Sequence, residues 1–133
     1  MLPAGTFTLS ADDHRAFARH VGGDPDGDPT VTALWLIVSD LRGLGIGLGE
    51  LFARHGIDLA HDGPMLGGVA MAFDGPPLAL DRPYPITGEV LDRTRKSGRR
   101  GAFDVLRVRV ALADVAAVTI SYILPRRDEE AAA

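Results

Sequence analysis

The sequence predicts an α+β domain in which a curved antiparallel sheet wraps around one long, apolar helix. Two observations lead to this prediction. Residues 30–41 would be apolar on nearly all sides of a helix, which is typical of a helix buried in a core. After residue 64 the apolar residues begin to alternate with other residues, which predicts strands. Helices followed by consecutive strands have the α+β order, and a curved sheet is the partner available to bury the helix.

The helices are predicted from the residues at their ends. Ser10 and Gly22 are typical capping residues, so an amphipathic helix is expected between them. Asp28 and Pro29 have the residue types of an N-cap and a first helical position, so the apolar helix is expected to begin there. A third, shorter helix is predicted over residues 48–54.

Two features of the central region are interpreted as structural. Trp35, the only tryptophan, lies inside the apolar helix and is expected to belong to the core. Glycine recurs at every second position from residue 43 to residue 49, and no strand leads into this alternation, so it does not match a dinucleotide-binding fingerprint. We expect these glycines to let the chain bend or approach another stretch of backbone closely.

Four strands are predicted in the second half of the chain. Their predicted ranges are 65–73, 86–94, 102–113 and 117–124. In the third of them Leu106, Val108 and Val110 alternate with Arg107 and Arg109. This is the pattern of an antiparallel strand with one face buried. Short polar turns separate the last three strands, which are therefore expected to form a meander.

Length and composition limit the classes of function. The 133 residues suffice for one domain, expected over residues 1–127 and followed by a disordered tail over residues 128–133. The net charge of −4 disfavours nucleic acid and anionic membranes as partners, and the lack of cysteine excludes a thiol nucleophile. Neither a signal peptide nor an apolar segment of about 18 residues is evident, so the expected location is the cytoplasm.

The segment from Gly23 to Pro29 carries the most specific functional signal. Gly23 and Asp24 follow the first helix, and an Asp-Gly-Asp-Pro sequence leads into the apolar helix. The segment resembles the opening of MaoC-like (R)-specific enoyl-thioester hydratases and dehydratases, which carry a Gly-Asp-x-Asn-Pro-x-His sequence there. Residues 81–90, 95–104 and 122–127 resemble later segments of the same family and occur in the same order along the chain. They are more similar to the non-catalytic, N-terminal half of double hot-dog dehydratases than to the catalytic half.

The resemblance implies a single hot-dog domain whose ligand is an acyl thioester. In that family the aspartate and the histidine act as general base and acid, and amides at the start of the buried helix polarise the thioester carbonyl. Asp24 matches the family's aspartate and is the candidate catalytic residue, whereas Pro29 stands where the histidine would be. Asp24 is alternatively an Asx-type loop residue, since aspartate beside glycine and proline is ordinary turn chemistry.

Other histidines and acids offer partial replacements for the missing group. Asp24 would need a histidine from elsewhere in the chain, such as His20 or His61. Glu50 is followed by His55 at the family's spacing, but both are expected to be ordinary surface residues. The four histidines have neither His-x-His nor His-x3-His spacing, so no metal site and no cofactor are predicted.

Basic residues concentrate at the end of the second predicted strand and in the turn that follows it. They are Arg93, Arg95, Lys96, Arg99 and Arg100, five of the chain's 14 basic residues. The last four are the candidate substrate-binding residues, because guanidinium and ammonium groups suit the phosphates of coenzyme A or of an acyl carrier protein. The alternative is a solvated hairpin tip.

Three functions are consistent with these residues. The leading one is the non-catalytic subunit of a heteromeric enoyl-CoA or enoyl-ACP hydratase, whose second hot-dog subunit supplies the acid and the histidine. Two hot-dogs would pair through their sheet edges, and an unpaired chain would form a homodimer by the same route. The second function is a stand-alone hydratase using Asp24, or an acyl-thioesterase using Asp40 or Glu50. The third is a ligand-binding module without turnover, so whether the chain is an enzyme stays open.

Overall fold

The computed structural model describes residues 1–99 and 101–125, which contain four helices and five strands. The helices are α1 (Ala11–Val21), α2 (Pro29–Asp40), α3 (Leu48–Arg54) and α4 (Leu59–Asp62). The strands are β1 (Leu2–Thr8), β2 (Met65–Phe73), β3 (Pro83–Gly98), β4 (Gly101–Leu112) and β5 (Ala116–Pro125). The predicted disordered tail, residues 128–133, and the candidate residue Arg100 lie outside the described ranges.

The five strands form one antiparallel sheet in the order β1-β3-β4-β5-β2. Helix α2 packs against one face of this sheet, which we call the inner face. Leu34 and Ile37 of α2 are fully buried in a core that also contains Leu106 of β4 and Ile120 of β5. An antiparallel sheet packed on a buried helix is the α+β hot-dog arrangement that the sequence predicts.

The predicted meander is confirmed, because β3 pairs with β4 and β4 pairs with β5. Strand β3 is longer than predicted and begins at Pro83. In β4 the predicted alternation is also confirmed: Leu106 and Val108 are buried, whereas Arg107 and Arg109 are exposed. The inner face of β4 therefore carries its buried apolar residues together with Asp104, and the outer face carries the two arginines.

The helix ends follow the predicted capping rules. The side chain of Ser10 accepts a hydrogen bond from the backbone N–H of Asp13 at 3.0 Å. Gly22 ends α1 in the left-handed conformation, with a φ of 74°. Asp28 caps α2, and Pro29 is its first residue. None of the helices in the described ranges is long and apolar enough to cross a lipid bilayer.

The sequence does not predict β1, because Leu2–Thr8 contains a proline and a glycine and lacks a regular apolar alternation. The strand forms because it pairs with β3, and the glycine-rich loop after α2 packs on it. The backbone N–H of Gly45 donates to the carbonyl oxygen of Pro3 at 3.1 Å. A Cβ atom at Gly5 would lie 1.9 Å from the carbonyl oxygen of Gly43. This contact confirms the close backbone approach expected of the alternating glycines.

The prediction that Trp35 belongs to the core is wrong. Val31, Trp35 and Ser39 are spaced by four positions and form an exposed stripe along α2, in which Trp35 is 39% exposed. We call these three residues the α2 stripe. The sheet of this chain covers only one side of the helix, and the sequence does not reveal which side because α2 is apolar nearly all round.

We expect Leu34→Ala to lower the free energy of unfolding by about 2–5 kcal/mol, because it leaves a cavity in the core. The same substitution at Leu59, which is 45% exposed, should cost much less. Urea denaturation followed by circular dichroism measures both losses. Equal losses of unfolding free energy at the two positions would contradict the burial of Leu34 in the core.

Candidate functional site

The loop between α1 and α2 contains Asp24, the candidate catalytic residue. Its Oδ1 accepts a hydrogen bond from the backbone N–H of Asp26 at 2.9 Å. Its carbonyl oxygen accepts one from the N–H of Gly27, also at 2.9 Å. The first of these bonds closes an Asx turn. The Asp24 side chain is exposed, and no histidine in the described ranges hydrogen-bonds to it.

The N-terminus of α2 is where backbone amides would polarise a thioester carbonyl. Pro29 has no N–H to offer, and the N–H of Thr30 donates to Oδ1 of Asp28 at 2.9 Å. The hydroxyl of Thr30 accepts a hydrogen bond from the N–H of Leu78 at 2.8 Å, so this residue is fully engaged in the fold. A carboxylate therefore already interacts with the positive end of the α2 dipole, and it would repel a developing oxyanion.

His14 is a buried imidazole beside the same loop, and the sequence assigns it no role. It is 4% exposed, with Nδ1 2.8 Å from the hydroxyl oxygen of Thr32 and Nε2 3.2 Å from the carbonyl oxygen of Gly27. A carbonyl oxygen only accepts, so in the neutral ring Nε2 carries the proton and Nδ1 accepts from Thr32. His14 therefore joins α1 to α2 and to the loop, and both of its nitrogens are engaged.

His20 and His61, the two histidines considered as replacements for the missing catalytic histidine, do not hydrogen-bond to Asp24. The Nδ1 atom of His61 lies 3.0 Å from Oδ2 of Asp58, and this hydrogen bond lowers the pKa of the Asp58 carboxyl. His20 is exposed on α1. In the described part of the chain, no three His, Asp or Glu side chains come close enough together to hold a metal ion.

The carboxylates considered for a rearranged enzyme lie at the surface. The Glu50 carboxylate is 3.6 Å from the guanidinium of Arg54, and the side chains of Glu50 and Asp40 are 59% and 53% exposed. A thioesterase would need such a group to face the buried side of a helix. His55 is partly buried, and its pKa is lowered first by that burial and then by the charge of Arg93.

Arg93, the first residue of the basic stretch, has a structural role. Its Nε donates to Oδ2 of Asp104 at 2.7 Å, and its Nη1 donates to the carbonyl oxygen of His55 at 2.7 Å. Asp104 is 6% exposed, so this ion pair is sheltered from solvent on the carboxylate side. The guanidinium links the end of α3 to the sheet and is occupied by these contacts.

The candidate substrate-binding residues Arg95, Lys96 and Arg99 are all exposed. Arg95 and Lys96 are neighbours on β3, so their side chains point to opposite faces of the sheet. Arg99 follows β3 and lines a surface pocket of about 440 Å³ together with Phe103 and Ile123. These cations are accessible to an anionic ligand, although the fold does not direct all of them to one point.

A second pocket, of about 310 Å³, lies between α2, α3 and the start of β2, and we call it the α2–β2 pocket. Its apolar lining includes Trp35, Leu48, Phe52, Met65 and Leu66. Two hydroxyl-bearing residues, Ser39 and Tyr122, complete the lining. The pocket is thus apolar with a small number of polar groups, which is the usual composition of a small-molecule site.

The Tyr122 hydroxyl has no hydrogen-bond partner within the described residues. Tyr122 is 4% exposed, and its ring packs edge-on against Phe52 with the ring centroids 5.0 Å apart. Burial raises the pKa of Tyr122 to about 12. The other tyrosine differs, because the Tyr84 hydroxyl accepts a hydrogen bond from the N–H of Ala79 at 2.9 Å. A buried hydroxyl without a partner costs about 1–3 kcal/mol.

Strand β2 forms an edge of the sheet and lacks the charged and proline residues that commonly protect an edge against pairing. Its nine residues include neither a charged residue nor a proline, whereas β1 at the other edge contains a proline. Both edge strands have a register irregularity, which in β2 lies between Leu66 and Gly68. Met65, Leu66 and Phe73 are between 51% and 60% exposed. Leu66 and Phe73 lie opposite the buried residues Tyr122 and Ala116 of β5, so they share the inner face with α2.

Comparison with known proteins identifies the fold. No protein-family model matches the chain, and no curated protein sequence matches it significantly. Among solved structures, the chain is similar to a chain of the ChsH1–ChsH2 complex from Mycobacterium tuberculosis, with a TM-score of 0.57 and 12% identity. The similarity covers 92% of this chain and 86% of that chain. This chain has a hot-dog fold. The predicted fold class is therefore confirmed over nearly the whole chain.

We expect His14→Ala to lower the free energy of unfolding by about 1–3 kcal/mol, because it leaves the buried partners of the imidazole unpaired. His20→Ala, on the exposed side of the same helix, is the matched control and should change stability by less than about 0.5 kcal/mol. Urea denaturation measures both changes. A loss at His20 as large as that at His14 would contradict the bridging role.

Proposed function

We propose that this chain is the non-catalytic hot-dog subunit of a heteromeric hydratase, or dehydratase, that acts on enoyl thioesters. Its small-molecule ligand is the acyl thioester of coenzyme A or of an acyl carrier protein. The observation that carries the proposal is the arrangement at the start of α2. There Pro29 replaces the expected histidine, and Asp28 caps the helix end that would stabilise an oxyanion.

Hydration of an enoyl thioester requires a base for water, an acid for the α-carbon and a polarised carbonyl. Pro29 cannot transfer a proton, and the ring nitrogens of His14 both have partners. Asp24 is exposed and holds its own loop in an Asx turn. The groups that remain near this loop therefore favour a supporting subunit over a complete active site.

A second hot-dog subunit is the partner that suits the exposed apolar surface. Strand β2 offers a backbone edge to which another strand can add, and the α2 stripe lies beside its inner face. Trp35 and Ser39 line the α2–β2 pocket together with Met65 and Leu66, so this part of the stripe adjoins the start of β2. The ChsH1–ChsH2 complex is an assembly of two named components, which supports a heteromeric partner here. A second copy of this chain could use the same surface with two-fold symmetry.

The thioester's phosphates are assigned to the exposed end of the β3–β4 hairpin. Arg95, Lys96 and Arg99 are accessible there, and Arg100 adjoins them in the sequence. The apolar lining of the pocket beside Arg99 includes Phe103, which suits a nucleotide or pantetheine group next to a phosphate-binding cation.

We expect the purified chain alone to give no detectable hydration of crotonyl-CoA, because it lacks the acid–histidine pair. Activity should appear on adding a hot-dog subunit that carries such a pair, and a chain encoded beside this one is the first to test. In that complex Asp24→Asn should leave kcat unchanged within about twofold, since an exposed loop residue adds little to the barrier. Robust turnover by the isolated chain, abolished by Asp24→Asn, would contradict the proposal and favour a stand-alone hydratase.

We expect Ala70→Lys, at the exposed middle of β2, to weaken association about tenfold or more, because lysine protects a sheet edge against pairing. Ala4→Lys is the matched control, since it places the same exposed lysine on the opposite edge, in β1. Light scattering coupled to size-exclusion chromatography, with and without the partner, measures the association. Two results would exclude β2 as the interface. One is a loss of association in Ala4→Lys but not in Ala70→Lys, and the other is an unmodified chain that stays monomeric both with and without the partner.

A further inference from the structure

The outer face of the sheet changes in character towards the β3–β4 hairpin. In the middle of this face the side chains are polar, and they include Arg107 and Arg109 of β4 and Thr119 of β5. Nearer the hairpin the same two strands carry Phe103 and Ile123 on this face, and both side chains are only partly buried. The solvent-facing side of an antiparallel sheet normally carries polar residues, so this apolar end is an exception that calls for a ligand or a partner.

A pocket of about 440 Å³ adjoins this apolar end, and we call it the hairpin pocket. Phe103 and Ile123 line it together with Met65 and Pro125, and Arg99 belongs to the same lining. The volume is within the range of small-molecule sites, and an apolar lining with one charged group is their usual composition.

Two glycines let the apolar side chains of this lining lie close to the backbone. A Cβ atom at Gly98 would lie 3.2 Å from Cε1 of Phe103, and one at Gly67 would lie 2.9 Å from Cγ1 of Ile123. Both distances are shorter than an ordinary van der Waals contact, so a larger residue at either position would displace the side chain above it. The glycines therefore leave room over the ring of Phe103 for a ligand to approach.

The charge around the hairpin pocket is positive. Lys96 lies directly opposite Phe103 in the pairing of β3 with β4, so its side chain is on the same face, and Arg99 lines the pocket itself. Arg95 precedes Lys96 and points to the other face. Residues 95–103 contain no acid, although the chain as a whole has a net charge of −4. An anionic ligand would thus meet a local excess of positive charge at this pocket.

We propose that the hairpin pocket binds the nucleotide of coenzyme A, with Phe103 against the purine and with Lys96 and Arg99 at the phosphates. The inference takes its thioester ligand from the proposed function and goes further by choosing coenzyme A over a carrier protein. Both carriers present a pantetheine phosphate, which the cations alone would bind. Only coenzyme A adds a purine, whose flat ring suits an aromatic side chain next to cations.

The hairpin pocket adjoins the α2–β2 pocket, because Met65 lines both of them. The pantetheine arm of a bound thioester would therefore have an apolar surface beside its nucleotide, at the start of β2. The lining of the hairpin pocket comes from this chain, so we expect the isolated chain to bind the nucleotide without a second subunit.

Isothermal titration calorimetry of the purified full chain tests the proposal with ligands that cannot be hydrated. The probes are free coenzyme A, adenosine 3′,5′-bisphosphate, phosphopantetheine and inorganic pyrophosphate. We expect coenzyme A to bind about tenfold more tightly than phosphopantetheine, since stacking of a base on an aromatic ring contributes a factor of that order. Adenosine 3′,5′-bisphosphate should likewise bind more tightly than pyrophosphate, which carries negative charge without the ring.

Phe103→Ala should remove the preference for a purine: it should weaken coenzyme A about tenfold and leave the affinity for phosphopantetheine unchanged. Phe73→Ala, at a phenylalanine that is 53% exposed at the far end of β2, is the matched control and should change neither affinity. Arg99→Gln should weaken both ligands, because both carry phosphate. Arg109→Gln removes a charge from the middle of the outer face, where solvent screens it from the pocket, and should change neither affinity.

If Phe103→Ala fails to fold, Ala102→Glu tests the same pocket. Ala102 is exposed and belongs to the lining, so this substitution should preserve the fold. The new carboxylate should repel the phosphates and weaken coenzyme A about tenfold. Unchanged affinity for coenzyme A in Ala102→Glu would contradict binding in the hairpin pocket.

Three results would overturn the inference. Absence of coenzyme A binding would exclude a nucleotide site on this chain, and equal affinity for coenzyme A and phosphopantetheine would favour a carrier-protein thioester. Equal affinity for adenosine 3′,5′-bisphosphate and pyrophosphate would mean that the cations bind without the aromatic ring. Because none of these probes can be hydrated, each result is distinct from failure of the hydratase assay, and the proposed subunit role could still hold with a carrier-protein substrate.

Discussion

The burial of α2 on one side only is the constraint from which the other features follow. Leu34 and Ile37 have no exposed surface against the sheet, while Val31, Trp35 and Ser39 lie open on the other side. Covering the apolar surface that remains on this second side would stabilise the helix further. The same side adjoins the start of β2 at the α2–β2 pocket, which is where the proposed partner would bind.

The start of α2 illustrates how local stability and catalysis compete for the same atoms. Asp28 and Pro29 are favourable residues for beginning a helix, and together they leave no free N–H at its first two positions, Pro29 and Thr30. His14, although it is an imidazole close to this loop, uses both nitrogens to hold two helices together. Residue types suited to proton transfer are therefore present, but their contacts stabilise the fold.

The basic residues between positions 93 and 99 differ in their roles. Arg93 is engaged with a buried carboxylate and with the end of α3, so it stabilises the junction between helix and sheet. Arg95, Lys96 and Arg99 are exposed and have no such structural role in the described contacts, so they are accessible to an anionic ligand.

The features that depend on neighbouring residues could be predicted from the sequence: the caps of α1 and α2, the alternation in β4 and the meander of the last three strands. These are local, because a capping hydrogen bond or a strand's alternation involves residues a few positions apart. Only the tertiary structure decided the features that depend on distant residues. The edge strand β1, the engagement of His14 with Thr32, the exposure of Trp35 and the isolation of the Tyr122 hydroxyl each depend on which segments meet in space. The spacing of apolar residues indicates that a helix face is apolar, but not whether the chain itself or a partner covers that face.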